Sequence, residues 1–254
     1  MLYGYSAMPE YCKAAKETGF DYVELPGKVI AAMSDRDFLD FEKNLPIPAL
    51  AMNAFCPAEV VISGSGYDLA IVREYSERLS ARAEALGVKF IGVGSPMSRT
   101  LPDNFDRDLS LKQIENFLLE SAYIFEKRGI RMCLEALATC YCNTVNTTAQ
   151  ALEIIRRIDY PSVKLVLDFY NMEHMDEADI ELTDLPIIHA HISDDDGAPN
   201  LRSYLKPEKR GIHQKRIKRL AETGYKGGLT LEVDVPYDAE RAACSLAIMK
   251  ETIK

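Results

Sequence analysis

Four residues of types that commonly bind metal ions stand at the ends of short apolar runs in the second half of the chain. Each follows apolar neighbours: Glu135 after Met-Cys-Leu, Asp168 after Leu-Val-Leu, His191 after Ile-His-Ala, and Glu232 after Leu-Thr-Leu. Such runs are typical of buried parallel strands. A charged group at the end of a buried strand needs a partner, because an isolated charge in an apolar setting is very costly. Three carboxylates and one imidazole form a suitable shell for one divalent metal ion.

Strand and helix signals alternate along the whole chain and predict the elements that position these four residues. The helix over residues 68–86 is the clearest, because apolar residues recur in it at steps of three and four and Gly87 follows it. Strands are expected at 2–5, 22–25, 48–53, 89–94, 131–135, 163–167, 187–192 and 228–233. Further helices are expected at 9–18, 34–43, 110–127, 147–158, 212–223 and 238–250.

Eight strands alternating with helices over 254 residues predict an α/β fold, a (β/α)₈ TIM barrel that forms one domain over residues 1–254. A doubly wound open sheet is the competing architecture, but no Gly-x-Gly-x-x-Gly follows the first strand. In a barrel the carboxyl ends of the strands meet at one mouth. The barrel prediction therefore turns four separated residues into one expected metal site.

Composition and charge indicate which partners the protein is expected to have. The net charge of −9 argues against binding to nucleic acid, which normally demands a basic face. No apolar run approaches the ~20 residues of a membrane span, and the first residues lack the pattern of a signal peptide. The six cysteines show no paired spacing, which favours reduced thiols. We expect a cytoplasmic protein without a nucleic-acid or membrane partner.

Each of the four residues also has an ordinary structural explanation. Glu135 and Glu232 could be ion-paired, Asp168 could cap the turn that follows it, and His191 could be a core histidine, with His189 on the same face of its strand. Four such coincidences on successive strands are less probable than one shared metal ion. The carboxylate-rich set favours Mn²⁺ or Mg²⁺, whereas a structural zinc site normally uses thiolates.

An ordered set of short motifs resembles those of a known superfamily. It includes Gly19-Phe-Asp-Tyr-Val-Glu-Leu25, Gly129-Ile-Arg-Met-Cys-Leu-Glu135, Leu165-Val-Leu-Asp168, His189-Ala-His-Ile-Ser-Asp194 and Gly224-Tyr-Lys-Gly-Gly-Leu-Thr-Leu-Glu232. Over nearly its whole length the chain resembles the xylose isomerase-like barrel superfamily, in its sugar phosphate isomerase/epimerase branch.

The resemblance implies a metal site, an acid/base pair and a reaction. The ligands would be Glu135, Asp168, His191 and Glu232, holding Mn²⁺ or, alternatively, Mg²⁺, Co²⁺ or Zn²⁺. Glu135 and Glu232 would also exchange a proton beside the carbonyl of a small sugar-like substrate. The metal would stabilise the resulting enediolate. Members of the superfamily often form homodimers, so a homodimer is also expected.

The expected substrate contacts depart from the pattern of the superfamily. Asn171 stands where sugar epimerases often carry a histidine, and Tyr141 stands where ketose epimerases tend to carry a second Glu. The superfamily pattern also has an Arg soon after the seventh strand, and this chain has no Arg at that position. Arg202, with Lys206 and Arg210 further along, could instead reach a phosphate or carboxylate. We predict substrate contacts from Asn171, Asn53, Glu24 and Arg202.

Three other functions compete with an isomerase or epimerase. A metal-dependent dehydratase or lyase of the same superfamily begins with the same proton abstraction and differs only in the loss of a hydroxyl. A non-catalytic sugar-binding barrel is favoured by the departures at Tyr141 and Asn171. A nuclease related to endonuclease IV would need several more histidine ligands than the four histidines of this chain supply.

Overall fold

Eight parallel strands close into a barrel in the computed structural model, which describes residues 1–251. In chain order they are β1 (Leu2–Ser6), β2 (Tyr22–Pro26), β3 (Ala49–Asn53), β4 (Phe90–Val93), β5 (Arg131–Glu135), β6 (Val163–Asp168), β7 (Ile187–Ile192) and β10 (Gly228–Leu231). The barrel closes because β10 pairs with both β7 and β1. The predicted (β/α)₈ barrel is confirmed and the open sheet is excluded. Residues 252–254 of the domain expected over 1–254 lie outside the described part.

Helices surround the barrel, and most begin at a side-chain cap that the sequence suggests. They are α1 (Cys12–Thr18), α2 (Gly27–Ala32), α3 (Asp35–Asn44), α4 (Leu69–Ala85), α5 (Arg107–Glu126), α6 (Thr148–Ile158), α7 (Phe169–His174), α8 (Arg210–Glu222) and α9 (Ala239–Glu251). The Ser34 hydroxyl accepts the Asp37 N–H at the start of α3, and Thr147 with Gln150 forms a capping box at α6. No helix of residues 1–251 is long and apolar enough to cross a membrane.

Three short elements were not predicted from the sequence. The helices α2 and α7 have only six residues each, which is too short to produce a clear helical period. The third is an antiparallel hairpin of β8 (Asp194–Asp195) and β9 (Arg202–Ser203), which follows β7. Both α7 and this hairpin lie directly after strands that carry predicted ligands, so they shape the mouth of the barrel.

Side chains fill the inside of the barrel, and two glycines make room for the largest ring at its lower end. A Cβ atom on Gly4 would lie 2.2 Å from the Tyr22 ring, and one on Gly228 would lie 2.4 Å from the Tyr22 hydroxyl. Apolar side chains pack between the strands and the surrounding helices. The interior above Tyr22 is polar and leads up to the carboxyl ends of the strands.

Candidate metal centre

The four predicted ligands meet at the carboxyl ends of their strands. One ligand atom from each of Glu135, Asp168, His191 and Glu232 lies within 4.8 Å of the others. All four side chains are buried, and Glu232 is the most exposed of them at 9%. The barrel topology explains this convergence, because β5, β6, β7 and β10 are consecutive neighbours around the barrel.

Two buried atoms of this cluster indicate that a cation fits between the side chains. His191 Nδ1 and Glu232 Oε2 lie 3.3 Å apart, and neither has a hydrogen-bond partner among residues 1–251. His191 Nδ1 also lies 3.5 Å from Glu135 Oε1. An imidazole nitrogen and carboxylate oxygens are donors that Mn²⁺ and Zn²⁺ accept, so a divalent ion would satisfy these atoms together. The residues present therefore fit a metal ion.

The short helix α7 fixes the orientation of Asp168. Asp168 Oδ1 accepts the backbone N–H groups of Tyr170 at 2.7 Å and Asn171 at 3.4 Å, which caps the helix. The Asn171 amide donates to Asp168 Oδ2 at 2.7 Å and to Glu135 Oε1 at 3.2 Å. Its oxygen accepts the Ala138 N–H. Asn171 thus connects two predicted ligands, and both its amide nitrogen and its amide oxygen are hydrogen-bonded within the protein.

Arg202 brings a positive charge to the carboxylates from the β8–β9 hairpin. Its Nη2 atom lies 2.7 Å from Asp168 Oδ2 and 3.6 Å from Glu135 Oε1, and its Nη1 atom lies 3.4 Å from Glu232 Oε2. The guanidinium also packs on the Tyr141 ring, 4.8 Å from its centroid. Three carboxylates and one guanidinium leave two negative charges, which is the charge that a divalent cation balances.

The two predicted bases have pKa values shifted in opposite directions. Burial raises the pKa of Glu135 to about 7, and the neighbouring carboxylates of Glu232 and Asp168 add to the effect against the opposing influence of His191. Burial also acts to raise the pKa of Glu232, but Arg202 and His191 outweigh it and lower the value to about 2. In the metal-free protein, Glu135 therefore takes up a proton more readily than Glu232 does.

His191 holds a proton tightly in the metal-free protein. Burial acts to lower its pKa, but the carboxylates of Glu24 and Glu232 outweigh burial and hold the pKa well above its usual value. A metal ligand must be deprotonated at the coordinating nitrogen. Metal binding at this cluster would therefore displace a proton.

A cavity of about 510 Å³ opens above the cluster. It is lined by Glu135 and Glu232, by Arg202 and by Asn53, so these four predicted site residues face the space that a substrate can enter. Asn53 also donates to Glu232 Oε1 at 2.8 Å and to the Ser6 hydroxyl at 2.9 Å. Asn53 thus orients Glu232 while remaining at the cavity wall.

Two of the predicted substrate contacts do not line this cavity and are corrected. Glu24 is completely buried below the ligands, where its carboxylate is held by His189 and His191. Asn171 lies behind the ligands because it is hydrogen-bonded to two of them. Both residues support the site from outside the cavity.

The other basic residues considered with Arg202 are paired elsewhere. Lys206 Nζ lies 3.3 Å from Asp195 Oδ1, and Arg210 Nη1 lies 3.0 Å from Glu251 Oε2. Neither of them lines the 510 Å³ cavity.

Two residues that lie next to Glu135 were not predicted from the sequence. A Cβ atom on Gly94 would lie 2.5 Å from Glu135 Oε2, so the absence of a side chain there gives the carboxylate its room. The completely buried Arg99 donates from Nη2 to the Glu135 backbone oxygen at 2.8 Å. Gly94 stands at the end of a predicted strand, and this position is the signal that could have drawn attention to it.

Comparison with known proteins agrees with the fold of the barrel. A family model described as xylose isomerase-like TIM barrel matches residues 12–252. The chain belongs to this family. An inosose isomerase from Halalkalibacterium halodurans is 26% identical over 245 residues, which cover 89% of this chain and 82% of that protein.

Solved structures share the fold of this xylose isomerase-like barrel over nearly its full length. A D-psicose 3-epimerase crystallised in the presence of D-fructose has a TM-score of 0.77 and 16% identity, covering 100% of this chain and 99% of its own. The IolI protein with a bound zinc atom has a TM-score of 0.68 and 21% identity, covering 99% and 96%. These likenesses establish the architecture of the barrel.

Proposed function

We propose that this protein is a divalent-metal-dependent isomerase or epimerase of a small sugar, sugar phosphate or related hydroxy-ketone. The observation that carries the proposal is the group of unpartnered ligand atoms, His191 Nδ1 and Glu232 Oε2, beneath a cavity that Glu135 and Glu232 both line. A buried carboxylate cluster with these features suits a metal ion and a proton transfer at the same place.

The positions of the two glutamates favour proton transfer on two sides of a substrate. Glu135 ends β5 and Glu232 follows β10, and the strands β6 and β7 lie between them in the barrel. The two carboxylates therefore approach the cavity from different directions. One removes the proton beside a carbonyl to give an enediolate, and the other returns a proton to the opposite face. Isomerisation would use one face only.

The remaining residues have distinct tasks in this proposal. Asn53 holds Glu232 through its amide, and Arg202 offers a guanidinium at the cavity to an oxygen or anionic group of the substrate. The bound metal would supply the charge that polarises the carbonyl. Three carboxylates with one imidazole favour Mn²⁺, while Mg²⁺, Co²⁺ and Zn²⁺ are the other candidates.

The relatives support the expectation of an isomerase or epimerase enzyme. One relative is named as an inosose isomerase and one as a D-psicose 3-epimerase, and the IolI structure contains a zinc atom. A dehydratase or lyase remains the second candidate, because it needs the same base and the same metal. The expected homodimer and cytoplasmic location remain predictions.

Hydrogen exchange at carbon tests the proposal. The protein is loaded with Mn²⁺ and incubated in deuterated water with a panel of ketoses, ketose phosphates and inososes, and the products are analysed by mass spectrometry. We expect deuterium at carbon without loss of water for at least one compound. Loss of water would identify a dehydratase, and no exchange with any compound would favour the sugar-binding barrel.

The variant Glu135→Gln with Glu232→Gln is the control for this experiment. It should lose all exchange and should no longer retain Mn²⁺ after dialysis, because two of the three ligand carboxylates have become amides. Unchanged metal content in this variant would refute the assignment of the ligands.

A further inference from the structure

A column of buried polar side chains runs down the inside of the barrel beneath the candidate metal centre. From the top it contains His191, Glu24, His189, Thr230 and Tyr22, and none of them is more than 1% exposed. His189 Nε2 lies 3.2 Å from the Thr230 hydroxyl, which in turn lies 2.8 Å from the Tyr22 hydroxyl. The proposed reaction does not use the lower part of this column.

The carboxylate of Glu24 is shared between the two histidines. Its Oε2 atom lies 2.7 Å from His189 Nε2, and its Oε1 and Oε2 atoms lie 3.1 and 3.2 Å from His191 Nε2. An ionised carboxylate only accepts hydrogen bonds, so each histidine must carry a hydrogen on Nε2 to make these contacts.

This requirement decides which nitrogen of His191 can bind a metal. With hydrogen on Nε2, the neutral ring keeps its lone pair on Nδ1, the atom that lies 3.3 Å from Glu232 Oε2 and 3.5 Å from Glu135 Oε1. If the hydrogen stood on Nδ1 instead, Nε2 would face the Glu24 carboxylate without a hydrogen to donate. Nδ1 would then carry the hydrogen and would have no lone pair to offer a metal ion.

We infer that Glu24, held in turn by His189, is the positioning residue that fixes the tautomer and orientation of His191 for metal binding through Nδ1. The inference rests on the proposed metal centre and adds a residue from β2 to a site whose ligands all come from β5 to β10. Carboxylates that orient a metal-binding histidine typically contribute roughly 10–100-fold to metal affinity.

A second metal ion within the column is the competing explanation. Glu24, His189 and His191 offer three ligand atoms within 4.8 Å of one another. However, the Nε2 atoms are already engaged with the carboxylate at hydrogen-bonding distances, and the Phe90 ring stacks on His189 with centroids 6.1 Å apart. The positioning role therefore predicts one bound metal ion per chain, whereas the competing role predicts two.

Metal titration of matched variants tests the inference. Mn²⁺ is titrated calorimetrically into the metal-free wild type, Glu24→Gln and Tyr22→Phe. A glutamine is uncharged and has an N–H₂ donor in place of one carboxylate oxygen, so it holds the two Nε2–H groups less well than Glu24 does. We expect one site in the wild type, a dissociation constant raised roughly 10–100-fold in Glu24→Gln, and unchanged affinity in Tyr22→Phe, which removes a hydrogen bond lower in the same column.

Nitrogen NMR of the zinc-loaded wild type provides a readout that does not depend on any variant folding. The ¹⁵N shifts and couplings of His191 should show hydrogen on Nε2 and metal on Nδ1. Metal on Nε2, equal affinity in Glu24→Gln and wild type, or two metal ions per chain would each overturn the inference. If the wild type binds no metal at all, the proposed function fails first, so the two failures are distinguishable.

Discussion

The two halves of the barrel mouth differ in the chemistry of their side chains. The half formed by the ends of β5, β6, β7 and β10, here called the ligand half, brings three carboxylates, an imidazole and the Arg202 guanidinium together. The ends of β1 to β4, here called the wall half, contribute mostly uncharged cavity-lining residues, including Tyr5, Ala7, Pro26, Ala54 and Pro96. Under the proposed function, the ligand half would perform the reaction and the wall half would select the substrate.

The largest expected effect comes from a carboxylate of the ligand half. Glu135→Gln should lower kcat by roughly 10²–10⁴-fold, because it removes a group that exchanges a proton with the substrate. Glu10→Gln is the matched control, since Glu10 lines the same cavity from the wall half. Steady-state kinetics should show little change for the control. Similar losses in both variants would remove the distinction between the two halves.

A second prediction concerns the room that Gly94 leaves for Glu135. Gly94→Ala places a Cβ atom 2.5 Å from Glu135 Oε2 and must push the carboxylate aside. We expect kcat/KM to fall about 10²-fold, the usual cost of displacing a reacting group by about 1 Å. Gly92→Ala is the control, because its Cβ would meet its nearest atom at an ordinary 3.5 Å. Equal activity of the two variants would contradict the role of Gly94.

The contribution of Asp194 in the β8–β9 hairpin to the stability of the fold should depend on pH. Burial acts to raise the pKa of Asp194, but the hydrogen bonds from His213 and the Lys206 N–H, with the Lys209 ammonium, lower it to about 2. A lowered carboxyl pKa stabilises the fold above the unfolded value of about 3.9, and the contribution is lost as the pH falls towards 2.

Asp194→Asn should therefore lower the free energy of unfolding by about 3 kcal/mol at pH 7, because it leaves a buried pair broken. Urea unfolding at pH 7 and pH 3 measures the difference between wild type and variant, which should shrink at the lower pH. A difference that stays constant would show that the charge of Asp194 is unimportant for the hairpin that carries Arg202.

The smallest effect is expected in the wall half. Tyr11 lines the cavity and stacks on Tyr237 with ring centroids 5.8 Å apart. Tyr11→Ala should raise KM about tenfold, which corresponds to about 1.4 kcal/mol of binding free energy. It should leave kcat and the Mn²⁺ affinity nearly unchanged, because it removes a contact that stabilises the bound substrate and the transition state equally. An altered Mn²⁺ affinity of Tyr11→Ala, measured by metal titration, would contradict this prediction.

The fold and the ligand half were predictable because their signals are local. Each barrel strand is a short apolar run and each long helix has its own periodic stripe, so the order of elements follows from neighbouring residues. In a barrel the ends of β5, β6, β7 and β10 must meet, so the barrel prediction already brings Glu135 and Glu232 together.

The partners of Glu24 and Arg202 were not predictable because they are far apart in sequence. Glu24 meets His189 from 165 positions away, and the strand pattern alone did not reveal that both side chains point into the barrel below the cavity. Arg202 reaches Asp168 from the second strand of a hairpin whose strands have only two residues each. The sequence indicated residue types that are suited to substrate binding. Whether such a residue lines the cavity or lies behind the ligands depends on its depth in the barrel, which the sequence did not reveal.

The most direct test of the account is a crystal structure of the protein soaked with Mn²⁺, with anomalous diffraction data to locate the ion. The account predicts one anomalous peak within about 2.0–2.4 Å of oxygens from Glu135, Asp168 and Glu232 and of His191 Nδ1. No peak among these four residues at a saturating Mn²⁺ concentration, or a peak between Glu24 and His189 instead, would contradict it.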